Sequence, residues 1–421
     1  MIKLLSLFSG IGAFESALKR CGRPYEVVNY CEIDPHASRS YSQIHEVPET
    51  KNLRDVCAID TAKISGVNLI TYGFPCQDIS VSGKQHGFEH NGERTRSGLF
   101  YEALRIIQDL QPEYAIAENV KALVSKKFTA EFKAVLDGLE AAGYNNYWQV
   151  LNAKNYGIPQ QRERVFIISI RKDCDAGLFS FPAPQELKLR VKDMLEPEVD
   201  DKYYLTGEGA QRLIQAYAAR INEAITEPVI CASRGRNPAD LRDRAAGAYT
   251  EQHLEPKNDG TSNTITTVQK DNLLLEPKIK IIGSTNGHQS GNVMHHNTDL
   301  CPCLTVAGHV EPLKILQIGN LIPDAGRKFT NPQTGRVYDP QGLSPTINTA
   351  QGGQREVKII ETTPEAYRIR KLTPRECYRL MGFTDAEFDS IKGVSNTQLY
   401  KQAGNSIVVN VLEAIFRQLP I

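Results

Sequence analysis

The chain has 421 residues, with 49 acidic and 49 basic side chains and a formal net charge of zero. A hydrophobic share of 41% and a charged share of 23% are ordinary for a folded protein and exclude disordered or fibrous classes. Because we find no secretion signal, no apolar run long enough to span a bilayer and no regular spacing of the nine cysteines, we expect a cytoplasmic protein with reduced thiols.

The N-terminal stretch predicts a strand followed by a helix. The apolar run Leu4–Phe8 predicts the strand, and Ser9–Gly12 predicts a glycine turn into a helix that begins near Ala13. Such a turn lets the backbone approach a ligand closely. A purely structural turn remains the alternative, since the third glycine of the dinucleotide fingerprint is missing.

Acidic residues follow the next two predicted strands. Glu32 and Asp34 come directly after Val27–Cys31. Glu32 lies roughly 20 positions after the glycine turn, where nucleotide-binding folds hold a ribose hydroxyl, whereas Asp34 precedes a proline and predicts a helix N-cap. Asp55 ends a third short strand, where the purine ring of a cofactor would lie, with a turn aspartate as the alternative.

A cysteine follows the next buried strand. The apolar run Val67–Tyr72 ends at Gly73, and Pro75 fixes the backbone one residue before Cys76. The thiol is therefore expected at the carboxyl end of a strand, where open α/β sheets bind ligands. For this residue alone, a small buried cysteine remains the alternative. The polar segment 80–97 that follows predicts a mobile lid.

Strand and helix patterns alternate to about residue 180. The strand Tyr114–Ala117 leads to Glu118, which we expect on the same sheet edge as Cys76, and residues 161–164 precede the strand Val165–Ile170. This alternation predicts an α/β sheet with helices on both faces.

The composition changes from about residue 180 to residue 360, where Gly, Asn, Thr and Pro are frequent and the apolar runs are short. Three segments there share one pattern, which predicts related units of about 40 residues. They are residues 263–267, 302–306 and 345–349. Chance likeness among short β segments is the alternative.

Arginine and lysine cluster at three places although the net charge is zero. The clusters are Arg162, Arg164 and Arg171; Arg234, Arg236, Arg242 and Arg244; and Arg368, Arg370, Lys371, Arg375 and Arg379. Clusters of this kind favour a polyanionic partner, with solvated surface charge as the alternative. Within the last cluster, the stretch 373–377 predicts a capped helix start, and residues 407–419 predict a final helix.

Together these stretches resemble the cytosine-C5 DNA methyltransferase family of bacteria and phages. The matching pieces are Leu7–Gly12, Glu32, Asp55, Gly73–Gln77, Glu118–Val120, Gln161–Arg164, Arg370–Phe383 and Gly404–Ser406. Their order and spacing across residues 1–175 and 366–421 make the resemblance specific. The stretch between them is where this family varies and holds its target-recognition region.

The resemblance implies an S-adenosylmethionine-dependent methyltransferase fold: a Rossmann-like α/β sheet with helices on both faces, plus a smaller β-rich target-recognition domain. We expect residues 1–180 to form the catalytic and cofactor-binding domain, and residues 181–365 to form the variable domain with weak internal repeats. Residues 366–421 are expected to fold back onto the catalytic domain.

The resemblance also implies a reaction: transfer of a methyl group from S-adenosylmethionine to C5 of a flipped-out cytosine in duplex DNA. Cys76 would add to C6 of the base, Glu118 would contact ring N3, and Arg164 with Arg162 nearby would orient the base and favour the thiolate. The group that removes the C5 proton stays open. The cofactor pocket would be lined by Phe8, Gly10, Gly12, Glu32, Ile33, Asp55, Phe74, Leu99, Asn405 and Ser406.

The expected partner is double-stranded DNA, with no membrane, a monomeric chain and a cognate restriction endonuclease in the host. The repeats suggest tandem recognition units, with one domain of similar β units as the alternative. A group of histidines and cysteines between residues 288 and 309 matches no standard zinc spacing, so we expect no metal.

Three alternative functions agree less well with the sequence than DNA methylation. A relative of the same fold that methylates cytosine in transfer RNA has a short variable region, so the long one here favours DNA. A catalytically inactive DNA-binding module would not need Cys76, Glu118 and Arg164 together. A redox or nicotinamide enzyme would need the missing glycine or a CxxC pair.

Overall fold

The computed structural model describes residues 1–76, 78–79, 86–90, 92–204, 208, 228–237, 250–257, 259–267, 272–277 and 367–421, and five short strands between residues 281 and 359. It divides into two compact units. Unit 1 comprises Met1–Val199, Lys257–Asn272 and Leu372–Ile421, and unit 2 comprises Asp200–Pro256 and Leu273–Lys371. Among the described helices, none has the length and apolar content that a bilayer span requires.

Unit 1 is built on a six-stranded sheet. The strands in this part of the chain are β1 (Ile2–Leu7), β2 (Tyr25–Cys31), β3 (Leu69–Tyr72), β4 (Glu89–His90), β5 (Glu93–Arg94), β6 (Tyr114–Val120), β7 (Tyr144–Asn152) and β8 (Glu163–Arg171). The sheet order is β2-β1-β3-β6-β8-β7, while β4 and β5 form a separate hairpin. Strands β2, β1, β3 and β6 are parallel, and β8 is antiparallel to both of its neighbours. The first residues of β8 therefore lie at the same edge as the carboxyl end of β6.

Helices cover both faces of this sheet. They are α1 (Ala13–Arg20), α2 (Pro35–His45), α3 (Phe100–Leu110), α4 (Thr129–Ala141), α5 (Pro374–Leu380), α6 (Asp385–Ser390), α7 (Asn396–Asn405) and α8 (Val409–Gln418). Apolar side chains of α3 and α4 share one core with alternate residues of β1, β3, β6 and β8. On the other face, Val411 of α8 lies beside Phe166 of β8, and the rings of Phe14 in α1 and Phe416 in α8 meet edge to face. The predicted α/β fold with helices on both faces is confirmed.

Two helix starts follow directly from local sequence. The Asp34 carboxylate accepts a hydrogen bond from the His36 backbone N–H at 2.9 Å, and Pro35 occupies the first turn of α2. Thr373 and Glu376 form a reciprocal capping box at α5. Both caps were predicted, because each needs only residues close together in the chain.

The segment 80–97, which we predicted to be a mobile lid, contains secondary structure in its described part. Residues 80–85 and 91 lie outside the described part of the chain. Phe88 is buried, with its ring centroid 6.0 Å from that of Phe74 and 5.9 Å from that of Phe100. Phe88 and the hairpin β4–β5 therefore anchor the described second half of the segment to the core.

Unit 2 is β-rich in its described parts. Its strands are β9 (Val229–Arg236), β10 (Glu251–Pro256), β11 (Leu273–Pro277), β12 (Ile281–Ser284), β13 (Val293–His295), β14 (Gln317–Asn320), β15 (Arg336–Tyr338), β16 (Lys358–Ile359) and β17 (Tyr367–Lys371). An antiparallel sheet has the order β10-β9-β11-β17, and the remaining strands form one group of two and one of three. Inside that four-stranded sheet, Arg370 is buried with its Nε 3.0 Å from Glu276 Oε1.

The unit boundaries differ from the predicted domain boundaries. Residues 181–199 and 257–272, which we assigned to the variable domain, belong to unit 1. Of the three repeated segments, 263–267 lies in unit 1, and 302–306 and 345–349 lie outside the described residues. Most of the histidines and cysteines weighed as zinc ligands also lie outside them. Within the described residues, no cluster of three or more metal-ligating side chains occurs.

Candidate active site

Strand register brings an acidic and a basic side chain together at the carboxyl edge of the sheet. Glu118 of β6 pairs with Phe166 of β8, and Val120 pairs with Arg164. Glu118 and Arg164 are therefore diagonal neighbours on one face of the sheet. Arg164 Nε lies 3.1 Å from Glu118 Oε1. Cys76 follows β3, the strand next to β6, so its loop leaves the sheet at this same edge.

The loop that carries Cys76 is held by side chains from elsewhere in unit 1. Asn119 Nδ2 donates a hydrogen bond of 3.1 Å to the Phe74 carbonyl oxygen. The Asp78 backbone N–H donates to Ser97 Oγ at 3.2 Å. Ser97 belongs to no predicted motif, and Asn119 was predicted only as part of the resemblance. Their partners are backbone atoms distant in sequence, which no local pattern reveals.

Glu118 is buried beside the arginine, yet one of its oxygens has no hydrogen-bond partner. Oε1 is inaccessible to solvent, and the approach of Arg164 Nε, although close, lacks hydrogen-bond direction. Burial raises the pKa of Glu118, whereas the charges of Arg164 and Arg162 lower it. The carboxyl group is thus biased toward the protonated form and keeps an acceptor or donor position for another group.

The Cys76 thiol is half-buried in the same electrostatic surroundings. Burial raises its pKa above the ordinary 9.0, and Glu118 raises it further, whereas Arg164 and Arg162 lower it. The arginines act in the direction that we predicted, but burial and Glu118 outweigh them. At neutral pH the thiol is therefore protonated in this structure.

Arg162 has a different set of partners from the one predicted. Its side chain is only 4% exposed. It donates hydrogen bonds to three backbone carbonyls, those of Ile265 at 3.2 Å, Gly404 at 3.3 Å and Ser406 at 2.6 Å. Burial and the neighbouring Arg164 lower the pKa of its guanidinium. Arg162 therefore lies near Arg164, as predicted, and its charge lowers the pKa of Cys76, but its own hydrogen bonds go to backbone carbonyls.

The carboxyl ends of β1 and β2 form the second part of the edge. Glu32 Oε2 accepts a hydrogen bond of 2.8 Å from the Gly10 N–H, and Oε1 accepts one of 2.8 Å from the Asp34 N–H. Burial raises the pKa of Glu32, whereas these N–H groups lower it. Asn52 exchanges two hydrogen bonds with the Glu32 backbone, of 3.0 and 2.9 Å, and was missed in the sequence because it belongs to no motif.

This edge offers what a nucleoside requires. Gly10 has φ +55°, and a Cβ there would meet no atom within 4 Å, so the space in front of it is open. Gly12, with φ +81°, has another reason to be glycine, because a Cβ would lie 2.1 Å from His45 Nε2. Ile33 is 75% exposed beside Glu32 and offers an apolar surface to a flat ring. A carboxylate, an apolar side chain and open backbone suit a ribose and a purine.

The remaining predicted cofactor residues fit to different degrees. Asp55 is exposed, and its carboxylate accepts from the Cys57 N–H at 2.9 Å, the turn role that was the alternative. Phe8 and Leu99 are half-buried against the core of α3 and α4. Phe74 is only 2% exposed within an aromatic cluster, so little of its ring is left for a ligand.

Asn405 and Ser406 come from the far end of the chain. Asn405 is exposed at the end of α7, and Ser406 is buried directly after it. Helix α7 is held against α2, since Lys401 Nζ lies 2.6 Å from Asp34 Oδ2. The C-terminal residues therefore lie on the side of the sheet that carries Glu32.

The predicted basic clusters are not free surface charge. Most of their described arginines pair with carboxylates of the same unit: Arg164 with Glu118, Arg171 with Asp173, Arg236 with Glu255, Arg370 with Glu276, Arg375 with Glu196 and Asp389, and Arg379 with Asp385. Arg242 and Arg244 lie outside the described residues. The described arginines of these clusters are therefore held in ion pairs, and the predicted polyanion footprint at these clusters stays a prediction.

A cavity of about 290 Å³ lies at the opposite edge of the sheet, where β1, β3 and β6 begin. Its lining comprises Met1, Ile2, Arg23, Pro24, Asn68, Leu69, Glu113, Tyr114, Pro420 and Ile421. None of the predicted site residues is among them. The chemistry-bearing side chains are at the other edge, and we place the site there.

The sequence agrees with a known family over nearly its whole length. The model of the C-5 cytosine-specific DNA methylases matches residues 2–420. The chain belongs to this family. The enzyme therefore transfers a methyl group from S-adenosylmethionine to C5 of cytosine in DNA. The predicted family, activity and cofactor are confirmed. They exclude the alternatives of a transfer RNA methyltransferase and a redox enzyme.

Curated relatives and solved structures agree with this assignment. The enzyme is 33% identical to the orphan methyltransferase M.SPRI of Bacillus phage SPR, over 99% of this chain and 97% of the relative. It is 28% identical to the type II methyltransferase M.HhaI of Haemophilus parahaemolyticus, over 98% and 93%. Its fold is similar to that of the Entamoeba histolytica methyltransferase EhMeth, with a TM-score of 0.58, 15% identity and coverage of 99% and 97%. The Dnmt2 methyltransferase of S. pombe gives a TM-score of 0.53 at 20% identity, with coverage of 99% and 97%.

Proposed function

We propose that methyl transfer proceeds through a covalent adduct between Cys76 and the target cytosine. The Cys76 thiol loses its proton, and Sγ forms a bond to C6 of the ring. The addition moves the C5–C6 π electrons onto C5, which would take the methyl group that S-adenosylmethionine supplies when bound. A base removes the C5 proton, the C5–C6 double bond re-forms and the Sγ–C6 bond breaks. One proton passes to solvent for each methyl group transferred, and no oxidant or reductant is needed.

Glu118 is proposed to hydrogen-bond N3 of the ring. The observation that carries this role is the buried Oε1 atom that lacks a hydrogen-bond partner. Burial favours the protonated carboxyl group. A protonated Glu118 donates to N3 and stabilises the negative charge that the ring gains when Cys76 attacks C6. The same contact draws electron density from C6 and makes it a better electrophile.

Arg164 is proposed to orient both the base and Glu118. Its Nε lies 3.1 Å from Glu118 Oε1, and its side chain remains 18% exposed, so part of the guanidinium is available to a ring oxygen. Its charge also lowers the pKa of Cys76. As the base displaces water and Glu118 gives its hydrogen bond to N3, this cation favours the thiolate.

S-adenosylmethionine, when bound, supplies an electrophilic methyl group on a sulfonium centre. We propose that Glu32 holds the ribose hydroxyls, Ile33 covers the purine, and Gly10 admits the cofactor to the backbone. Asp55 and Asn405 complete the pocket as exposed polar groups, and Phe8, Leu99 and Ser406 close it. Phe74 supports the pocket from the core.

The target base must leave the DNA stack, because C6 is out of reach within a duplex. We propose that the segment 80–97 covers the flipped base, with its anchored second half as the fixed end. Closure would exclude water from the Cys76 adduct.

We propose that the part of the predicted variable region 181–365 that belongs to unit 2 reads the DNA sequence. The repeated segments 302–306 and 345–349 suggest tandem recognition units, with one domain of similar β units as the alternative. Base-resolution mapping of 5-methylcytosine in a methylation-free host that expresses the enzyme counts the target motifs. Two or more unrelated motifs support tandem units, and one motif contradicts them.

Partner and location follow from the DNA substrate. We expect a monomer in the cytoplasm, where bacterial and phage DNA lies. The relatives include both orphan and type II methyltransferases, so a cognate restriction endonuclease is a proposal with its own test. Host extract would cleave unmethylated DNA at the enzyme's motif and spare DNA that the enzyme has methylated. Failure to cleave either DNA would contradict the partner.

The test of the catalytic proposal is Cys76→Ser, with Cys57→Ser as the matched control because Cys57 is an exposed free thiol. We expect Cys76→Ser to lose methyl transfer by at least about 10³-fold while S-adenosylmethionine affinity changes less than about threefold. Cys57→Ser should behave as the wild type. Transfer by Cys76→Ser at more than a tenth of the wild-type rate would overturn the role.

A further inference from the structure

The observation that carries this inference is the position of Arg162 between two segments that are remote in sequence. One guanidinium nitrogen donates to Ile265, in the segment 259–267 (the crossing segment). The other donates to Gly404 and Ser406, in the residues 404–406 (the cofactor turn). The three acceptors are carbonyl oxygens, so the contact is independent of the side chains on either segment.

The crossing segment and the cofactor turn approach each other at backbone distance. A Cβ on Gly404 would lie 2.6 Å from the Thr267 nitrogen and 2.7 Å from the Thr266 carbonyl carbon. Real Cβ atoms do not approach backbone this closely, and neither backbone can give way like a side-chain end. Gly404 is therefore required by the crossing. Its φ lies outside the left-handed region, so freedom of conformation is not the reason for glycine here.

The crossing segment is fixed along its length to the loop before β8. Ser262 N–H donates to the Pro159 carbonyl and Gln161 N–H to the Ser262 carbonyl, both at 2.6 Å. Thr264 Oγ1 donates to the Gln161 carbonyl at 2.8 Å. Gln160 accepts from the Ile265 N–H at 3.0 Å. With these bonds, the segment, the loop and the cofactor turn form one hydrogen-bonded junction.

We propose that Arg162 is a positioning residue for S-adenosylmethionine: it locks the cofactor turn to the crossing segment and so keeps Asn405 and Ser406 at the pocket. This inference rests on the proposed cofactor role of the turn. The two arginines of the 161–164 motif therefore have different roles. Arg164 contacts Glu118 and is proposed to orient the base, whereas Arg162 binds backbone carbonyls. It also gives the repeated segment 263–267 a function within unit 1 in place of DNA recognition.

Arginine suits this task and lysine does not. A planar guanidinium presents donors in a fixed fork and satisfies three carbonyls from one buried position. A lysine ammonium is a single strongly hydrated point charge, and it cannot reach carbonyls on both segments at once. Arg162→Lys keeps the charge near Glu118 and Cys76 but releases at least one side of the junction.

The experiment measures equilibrium binding of S-adenosylmethionine to the full-length enzyme by calorimetry, without DNA. We expect Arg162→Lys to bind at least tenfold more weakly than the wild type. Steady-state kinetics should show a tenfold rise in the KM for S-adenosylmethionine with kcat within about threefold, because the groups that act on the base are intact. Arg164→Lys should show the reverse split, a loss of kcat with unchanged cofactor affinity. Arg171→Lys, at the other end of β8, is the neutral control.

Gly404→Ala disrupts the same junction from the cofactor turn. It is the second test variant if Arg162→Lys does not fold. It should weaken cofactor binding by a similar factor, and the double variant should bind no more weakly than either single one, because both break one unit. Binding within twofold of the wild type for Arg162→Lys, or for Gly404→Ala if only that variant folds, would overturn the proposal. Because this assay contains no DNA, its outcome is independent of whether Cys76 forms the adduct.

Discussion

Replacing Arg164 by glutamine removes the cation that faces the buried carboxyl group of Glu118. Their side chains are 18% and 11% exposed, and Nε lies 3.1 Å from Oε1. At an effective dielectric constant of about 20, this separation gives a gross attraction of about 5 kcal/mol, and the desolvation of both groups offsets much of it. Removing one partner of a buried pair typically costs about 3–5 kcal/mol. We therefore expect Arg164→Gln to lower the free energy of unfolding by about 3 kcal/mol near pH 8.

The pH dependence of that loss distinguishes this cause from a packing defect. Burial already raises the pKa of Glu118, and loss of Arg164 removes an interaction that lowers it. A carboxyl group with a raised folded pKa stabilises the fold below its unfolded pKa of about 4.3, and this stabilisation is lost as the pH rises through the folded pKa. The deficit of Arg164→Gln should therefore shrink as the pH falls through the raised folded pKa of Glu118.

Urea denaturation of the full-length enzyme at several pH values measures the effect. Arg171→Gln is the control, since Arg171 pairs with a largely exposed Asp173 and its loss should cost less than about 1 kcal/mol. The double variant Arg164→Gln/Glu118→Gln should recover much of the deficit, because no unpaired charge remains. A deficit that is the same at every pH, or a double variant that is simply additive, would refute the reasoning.

Three further outcomes are expected. Glu118→Gln should lower the pH midpoint of Cys76 alkylation, since Glu118 raises the thiol pKa; iodoacetamide rates with peptide mass spectrometry measure it, and an upward shift would contradict it. Thr373→Ala should lower the unfolding free energy by about 1 kcal/mol through loss of the α5 cap, and an unchanged denaturation midpoint would count against the cap. Arg370→Met should remove the buried cation that faces Glu276 and cost about 3–5 kcal/mol in unit 2; hydrogen exchange of β11 measures this, and wild-type protection would disprove it.

The sequence predicted those parts of the site that depend on local pattern. Gly10, Glu32, Cys76 and Glu118 each end a predicted strand, and parallel strands bring their carboxyl ends to one edge. The caps at Asp34 and Thr373 follow from neighbours within three residues. The pairing of Glu118 with Arg164 needed the antiparallel register of β8, which alternation alone does not give.

What the sequence did not predict depends on contacts between distant backbone segments. Arg162 carries a motif position, but its partners are carbonyls of residues 265, 404 and 406, and a carbonyl has no sequence signature. The ion pairs of the arginine clusters were not predicted for the same reason. Arg370, for example, pairs with Glu276, which lies far away in the chain. The repeated segment 263–267 forms none of the described strands, and its pattern did not tell which unit the segment joins.

Covalent trapping tests the central claim most directly. A duplex that carries 5-fluorocytosine at the target position has no C5 proton to release, so an adduct formed with the enzyme persists after methyl transfer. With S-adenosylmethionine present, we expect one denaturation-resistant DNA adduct per chain, located on the Cys76 peptide by mass spectrometry and absent from Cys76→Ser. A methylated product without any adduct, or an adduct on the exposed Cys57, would contradict the assignment of Cys76 as the nucleophile.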